Sequence, residues 1–279
     1  MIAKRFTHQA TESGFQKTYS AEVVDHRHLS LRKFMNVTLL VMIGLALTQC
    51  TIAGGSGSAA NPGNSARDYL TSSPYTSLVI EMQSVPGFAP TATAKSNLIA
   101  FLQARLNKPV GITIVDESLV SPGQSSYSLD DVRRIEGSSR KLASTGTQMT
   151  AYFLFLDGSS TSDSSNGQIL GTAYAPTSMV IYEKTIQALS GTPVTQPSTA
   201  VLESTVLEHE FGHLLGLVNT GTTPQVQHQD NPHGAHCSNN ACLMYWNVDT
   251  SGIIGNLLGG TIPSLDADCL HDLQANGGK

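Results

Sequence analysis

The chain is poor in charge. Asp, Glu, Lys and Arg make up 13% of its 279 residues and the net charge is −5, so it lacks the strongly basic surface on which nucleic-acid binding depends. Cysteine is also scarce, with four in all. Ser, Thr and Gly carry the polar surface instead, and this balance resembles an exported protein more than a cytosolic one. The apolar run from Met35 to Cys50, MNVTLLVMIGLALTQC, is too short to span a bilayer comfortably. What is present, 40% apolar residues, is enough for a real core.

Arg32 and Lys33 precede that apolar run, which reads as the h-region of a signal peptide over 34–50. It ends at Cys50 after Leu47, Thr48 and Gln49. This resembles a bacterial lipoprotein processing site, although Gln49 stands where a small residue is usual. The resemblance implies a chain lipidated at Cys50 and held at the membrane of the bacterial cell envelope. An ordinary secretory signal or a retained anchor is the alternative. Residues 1–33, with His8, His26 and His28, show no periodic pattern and read as an unstructured extension or a start placed too far upstream. TIAGGSGSAANPGNS over 51–65 reads as a flexible tether, leaving 66–279 as the folded domain.

Within that domain SLVIEMQSV from Ser77, GITIVDESL from Gly111 and TAYFLFLDG from Thr150 read as strands. TATAKSNLIAFLQARLN and SLDDVRRIEGSSRKLAS read as the helices between them, with Ser128 as an N-cap. This order predicts an α/β sandwich. Asp157 and Asp163 lie in a polar loop that reads as a solvated turn, since their spacing matches no standard calcium loop. GTAYAPTSMVIYEKT from Gly171 is extended and interrupted by Pro176, as befits an edge strand. Thr199 to Leu217 reads as a helix apolar around most of its circumference, and therefore buried.

That helix carries His209, Glu210 and His213 as HExxH. Positions i and i+4 share a face, so two imidazoles converge on one ion, while Glu210 projects about 100° around the axis, beside a metal-bound water and outside its ligand set. A buried acidic group between two histidines is costly without a cation. Gly216 follows, and three residues later, where a third histidine is usual, stands Asn219.

HExxHxxG resembles the metzincin family of zinc metallopeptidases, in which the glycine turns the chain toward a third zinc histidine. An asparagine amide is a poor zinc ligand, so the role does not pass to Asn219. Downstream, HGAHCSNNACLMYW from His233 resembles the archaemetzincin segment in which the third histidine is followed at once by cysteine and, eight residues beyond the histidine, by methionine. On that resemblance NTGTTPQVQHQDNPHGA is an insertion, as in the leishmanolysin branch. His236 is then the third ligand, with His228 and His233 as rivals and Asp230 as an orienting group, and Met244 is the methionine of the Met-turn. No zinc-switch role falls to Tyr245, because Trp246 occupies the place of the tyrosine found there in one branch. Cys237 and Cys242 are close enough for a small disulfide in an oxidising envelope. In archaemetzincins the corresponding cysteines join a later CxxC pair at a second zinc; here Cys269-Leu270-His271-Asp272 departs from that pattern, which counts against a second zinc.

The resemblance implies a metzincin-like α/β (α+β) fold with a mixed twisted sheet, an active-site helix and a small C-terminal subdomain. It also implies a Zn2+ cofactor and an extended peptide substrate paired along the edge strand at Gly171 and Ala173. Glu210 would be the general base. A non-catalytic peptide-binding protein with a structural zinc, or a zinc hydrolase of a cell-wall amide, are the alternatives.

Overall fold

The structure, a computed structural model, describes residues 61–279 except 166, 192–195 and 249. The signal segment, Cys50 and most of the expected tether lie outside the described residues. No helix among those described is long and apolar enough to cross a membrane.

After a 3-10 turn at Pro62–Ser65 come α1 (Ala66–Leu70), β1 (Ser77–Ser84), α2 (Ala92–Gln103), β2 (Gly111–Ser118), β3 (Ser126–Tyr127), α3 (Leu129–Ser139) and β4 (Gln148–Phe155). The chain continues through β5 (Ser159–Ser160), β6 (Gly171–Ala175), β7 (Ser178–Ile181), α4 (Glu183–Leu189), α5 (Thr199–Leu214) and α6 (Ala267–Ala275). The main sheet has the order β2-β1-β4-β7-β6, with β3 and β5 paired separately. Its strands are parallel except β6, which runs antiparallel to β7 at the edge. The fold is thus α/β with a mixed sheet, as the order of elements predicts.

Alternation along β4 divides the core. Met149, Ala151, Phe153 and Phe155 face α2 and α5, whereas Tyr152, Leu154 and Leu156 pack with Val132 of α3; this is the period-two pattern of a strand covered on both faces. α3 begins with a full capping box, Ser128 and Asp131 each accepting from the other's backbone. Asp157 accepts from Tyr127 Oη at 2.7 Å and Asp163 from the Ile169 N–H at 2.8 Å, so both loop carboxylates act as local hydrogen-bond acceptors.

α5 lies inside the molecule with nearly every side chain buried, and Phe211 meets Tyr69 and Phe153 edge to face at 5.1 and 5.9 Å. It ends at Leu214 rather than Leu217, because Gly216 adopts a left-handed φ of 73° and the Leu217 N–H turns back to the Gly212 carbonyl at 3.1 Å. A glycine in that conformation closes helices generally.

Two buried carboxyls join α4 and α5 to the start of α2. Glu203 accepts from the Thr91 N–H at 2.9 Å and from the Thr91 hydroxyl. Glu183, fully buried, faces Glu203, and burial followed by that like charge raises its pKa. The pair therefore retains a proton that the unfolded chain releases above about pH 4.5, so its contribution to stability is complete in acid and falls as pH rises. Replacing Glu183 by Gln removes the cost. Relative to the parent, Glu183→Gln is expected to gain about 1 kcal/mol per pH unit between pH 5 and 8, read by urea unfolding at matched metal content; a constant difference across that range would exclude a retained proton.

Candidate metal centre

His209 and His213 project one turn apart from α5, with their Nε2 atoms 3.2 Å from each other. His236 arrives from the long loop after α5, its ring stacked on His209 at 5.4 Å and edge-on to His213 at 5.1 Å. The donor nitrogens of all three lie within 4.8 Å of one another. Two of the rings are oriented from behind: His209 Nδ1 lies 2.7 Å from the Leu243 carbonyl and His236 Nδ1 lies 2.7 Å from the His233 carbonyl. A ring whose Nδ1–H donates to a carbonyl presents an unprotonated Nε2, the form that binds metal.

Burial, reinforced by the His236 charge, pushes the His209 pKa down to about 3; His213 is also lowered well below the usual histidine range, by burial and then by its two neighbours. Both rings thus favour the neutral imidazole that binds metal, and their Nε2 atoms meet at hydrogen-bond distance. Three imidazoles and a fourth position on a cleft match the donor set of catalytic zinc.

The loop delivers His236 because its ends are paired across the insertion. Asp230 N–H donates to the His236 carbonyl at 2.7 Å, Ser238 N–H to the His228 carbonyl at 2.9 Å, and Cys237 N–H to the Met244 carbonyl at 2.7 Å. Met244 packs directly under Gly212, where even a methyl group would collide with its sulfur. Asn219 is exposed, with φ at 64° and its amide donating to Gln229 at 3.1 Å. Of the two rival histidines, His233 stacks on Trp246 at 4.4 Å, its Nδ1 2.7 Å from Asp230, and His228 belongs to another cluster.

That second cluster changes the reading of the cysteines. Cys237, Cys242 and Cys269 are free buried thiols, so Cys237 and Cys242 do not form the expected disulfide. Cys242 and Cys269 lie 3.7 Å apart, and His228 Nδ1 sits 3.5 Å from Cys237 and 3.9 Å from Cys269. The donor atoms of His228, Cys237, Asp266 and Cys269 fall within 4.8 Å of one another. Behind His228, Asp272 Oδ2 lies 2.8 Å from Nε2, a carboxylate–histidine pairing that orients metal-ligating imidazoles. Hydrogen bonds from the other two thiols lower the Cys242 pKa to about 4. Cysteine and histidine are zinc donors, and with His228, Cys237, Cys269 and Asp266 grouped and Cys242 beside Cys269, candidate donors for a second site are present although the CxxC is missing. His228, Asp266 and Asp272 were not legible as partners, being up to 44 residues apart; the adjacency of His236 and Cys237 was the available signal.

Glu210 lies beside the three histidines, its Oε2 2.6 Å from the Ala173 N–H of β6. It opens on a cleft of about 310 Å³ that is also lined by His213, Gly171, Thr172 and Ala173. No family model and no curated relative matches the chain. Among solved structures it is similar to an archaemetzincin from Methanopyrus kandleri, at 14% identity over 72% of this chain and 96% of that one, with a TM-score of 0.46. It is also similar to metalloproteinase-II from Bacteroides fragilis, at 15% identity over 74% of this chain and 54% of that one, with a TM-score of 0.40.

Gly171 is where strand and helix meet most closely. A Cβ there would stand 2.8 Å from Val206 Cγ1 and 2.9 Å from Glu210 Cγ, so Gly171→Ala must displace the carboxylate or the strand. Overpacking of this kind costs about 1–3 kcal/mol. The substitution is expected to lower stability by that amount without reducing zinc uptake by the histidines; unchanged unfolding curves would show that the contact relaxes freely.

Proposed function

We propose that this chain is a zinc-dependent endopeptidase, with zinc held by His209, His213 and His236 and Glu210 as the catalytic base. One observation carries the reading: three mutually facing imidazole nitrogens stand beside a carboxylate at the floor of an open cleft. Zinc in such a site supplies Lewis acidity, acidifying water and polarising a carbonyl. Glu210 takes the proton from the attacking water and passes it to the departing amine nitrogen. β6 is the edge strand of the main sheet and lies beside that carboxylate, to which its Ala173 N–H donates; pairing with an edge is how extended peptides are generally bound. A carboxylate beside the cluster distinguishes this reading from a purely structural zinc, which needs no base.

The thiol cluster would hold a second, structural zinc through Cys237, Cys242, Cys269 and His228. It contains no carboxylate placed against a cleft comparable to Glu210, and its thiols are buried.

Three substitutions test the catalytic assignment. Glu210→Gln is expected to lower turnover of a peptide substrate at least about a hundredfold while metal content, measured by atomic emission, is kept. His236→Ala should lose the catalytic zinc and Asn219→Ala should retain it; the reverse would return the third ligand to the usual spacing. For the thiol cluster, Cys269→Ser should bind one equivalent of zinc fewer than the parent. Equal metal content in the two would exclude a second site.

A further inference from the structure

The sequence places Asn61 to Ser65 in a flexible tether, yet in the structure these residues are part of the folded domain. Pro62–Ser65 forms a 3-10 turn pinned by the Asn64 N–H to the Asn61 carbonyl at 3.0 Å. Its centre, Gly63, is buried against the loop that follows the active-site helix. A Cβ on Gly63 would collide with the Thr220 carbonyl and stand 2.8 Å from Gly216 Cα, and a Cβ on Gly221 would collide with the Gly63 carbonyl. Three glycines thus allow two backbones to touch, a use of glycine that no other residue can serve. α1 follows immediately and is anchored by buried Ala66, Tyr69 and Leu70, with Tyr69 against Phe211.

The consequence appears in the cleft above Glu210 and His213. Facing Gly171, Thr172 and Ala173 of the edge strand, the remaining walls come from Asn61, Pro62, Thr220 and Ala235. Apart from the catalytic groups these residues are small or uncharged, and the same 310 Å³ must seat the reacting peptide unit. Outside Glu210 and His213, nothing in the lining would neutralise a charged substrate side chain, and burying one there would be costly.

We infer that Asn61 and Pro62 form a specificity wall, restricting one substrate position beside the scissile bond to a small, uncharged side chain. This rests on the peptidase reading for its substrate and deepens it. The wall acts by steric exclusion: Asn61 and Pro62 line the cleft, whereas the buried contacts of this segment are made by Gly63 and α1. Removing the two side chains should therefore open the subsite and leave the turn in place.

The test compares the full chain with Asn61→Ala/Pro62→Ala, zinc-loaded, on quenched peptides that carry Gly, Ala, Ser, Leu, Phe, Lys or Glu at each position flanking the cut. The parent is expected to favour Gly, Ala and Ser at one position by about tenfold or more in kcat/KM. The double variant should raise kcat/KM for Leu and Phe at that position by about tenfold, through KM. Metal content should stay unchanged. Gly63→Val, which evicts the turn, should broaden selection in the same direction. A parent that prefers bulky or charged residues at both positions, or a profile indifferent to the double substitution, overturns the wall. Peptidyl hydroxamates of the same side-chain series read the subsite by binding alone. Discrimination among hydroxamates without any peptide cleavage would overturn the peptidase reading and sustain the wall; cleavage with a profile blind to Asn61 and Pro62 would do the opposite.

Discussion

Three imidazoles held with their donor nitrogens within 4.8 Å of one another are the constraint on which the rest of the site depends. Two of them cost the chain little to place, since His209 and His213 follow from one turn of a helix that the core buries on almost every side. The third must be carried across a long loop and held against the other two rings. Two backbone carbonyls, Leu243 and His233, fix the His209 and His236 rings from behind, and Met244 fills the space under Gly212 so that the loop seats directly against the helix. On the proposed reading a divalent cation would bind all three rings at once, which would make metal uptake and completion of the loop parts of one process.

The same loop serves two donor clusters in alternation. His236 points to the first and its neighbour Cys237 to the second; Cys242 belongs to the second, and the Leu243 carbonyl beside it orients His209 of the first. This segment bends and turns repeatedly, so one stretch of chain reaches both clusters without any added element. Asp272 of α6 ties the insertion in from the far side, accepting from the Gln225 N–H at 2.7 Å and lying 2.8 Å from His228. The thiols therefore brace the third histidine, a role a Cys237–Cys242 disulfide would fill only locally while leaving Cys269 and His228 unengaged.

What could be read from the sequence was whatever depends on periodicity and short spacing. The apolar, β-favouring runs of β1 and β4, the cap at Ser128, the apolar circumference of α5 and the HExxH spacing are local properties, and each has its counterpart in the structure. The end of α5 was misplaced by three residues because apolar Leu215 and Leu217 continue the pattern past the point where Gly216 turns the backbone. The thiol cluster and the wall at Asn61 depend on contacts between segments far apart in the chain. A Gly/Ser/Asn-rich stretch carries no apolar face to mark it as packed; Gly63 is buried because it lacks a side chain, and hydrophobic patterning is blind to that kind of burial.

The position of Glu210 shows how a strand and a helix together define one carboxylate. The helix alone sets its direction relative to the two histidines. Its distance from the cleft is set by β6, which approaches α5 so closely that Gly171 leaves no room for a Cβ beside Glu210 Cγ. At that separation the Ala173 N–H reaches Oε2 at 2.6 Å, and a short charge-assisted hydrogen bond of this kind restricts the rotamers of a flexible side chain. Glutamate has more rotamer freedom to lose than most residues, so its orientation is secured where edge strand and helix touch, the same place at which an extended chain would enter. On the proposed reading, geometry for binding and geometry for proton transfer would thereby be fixed by a single glycine-mediated contact, and neither could shift without the other.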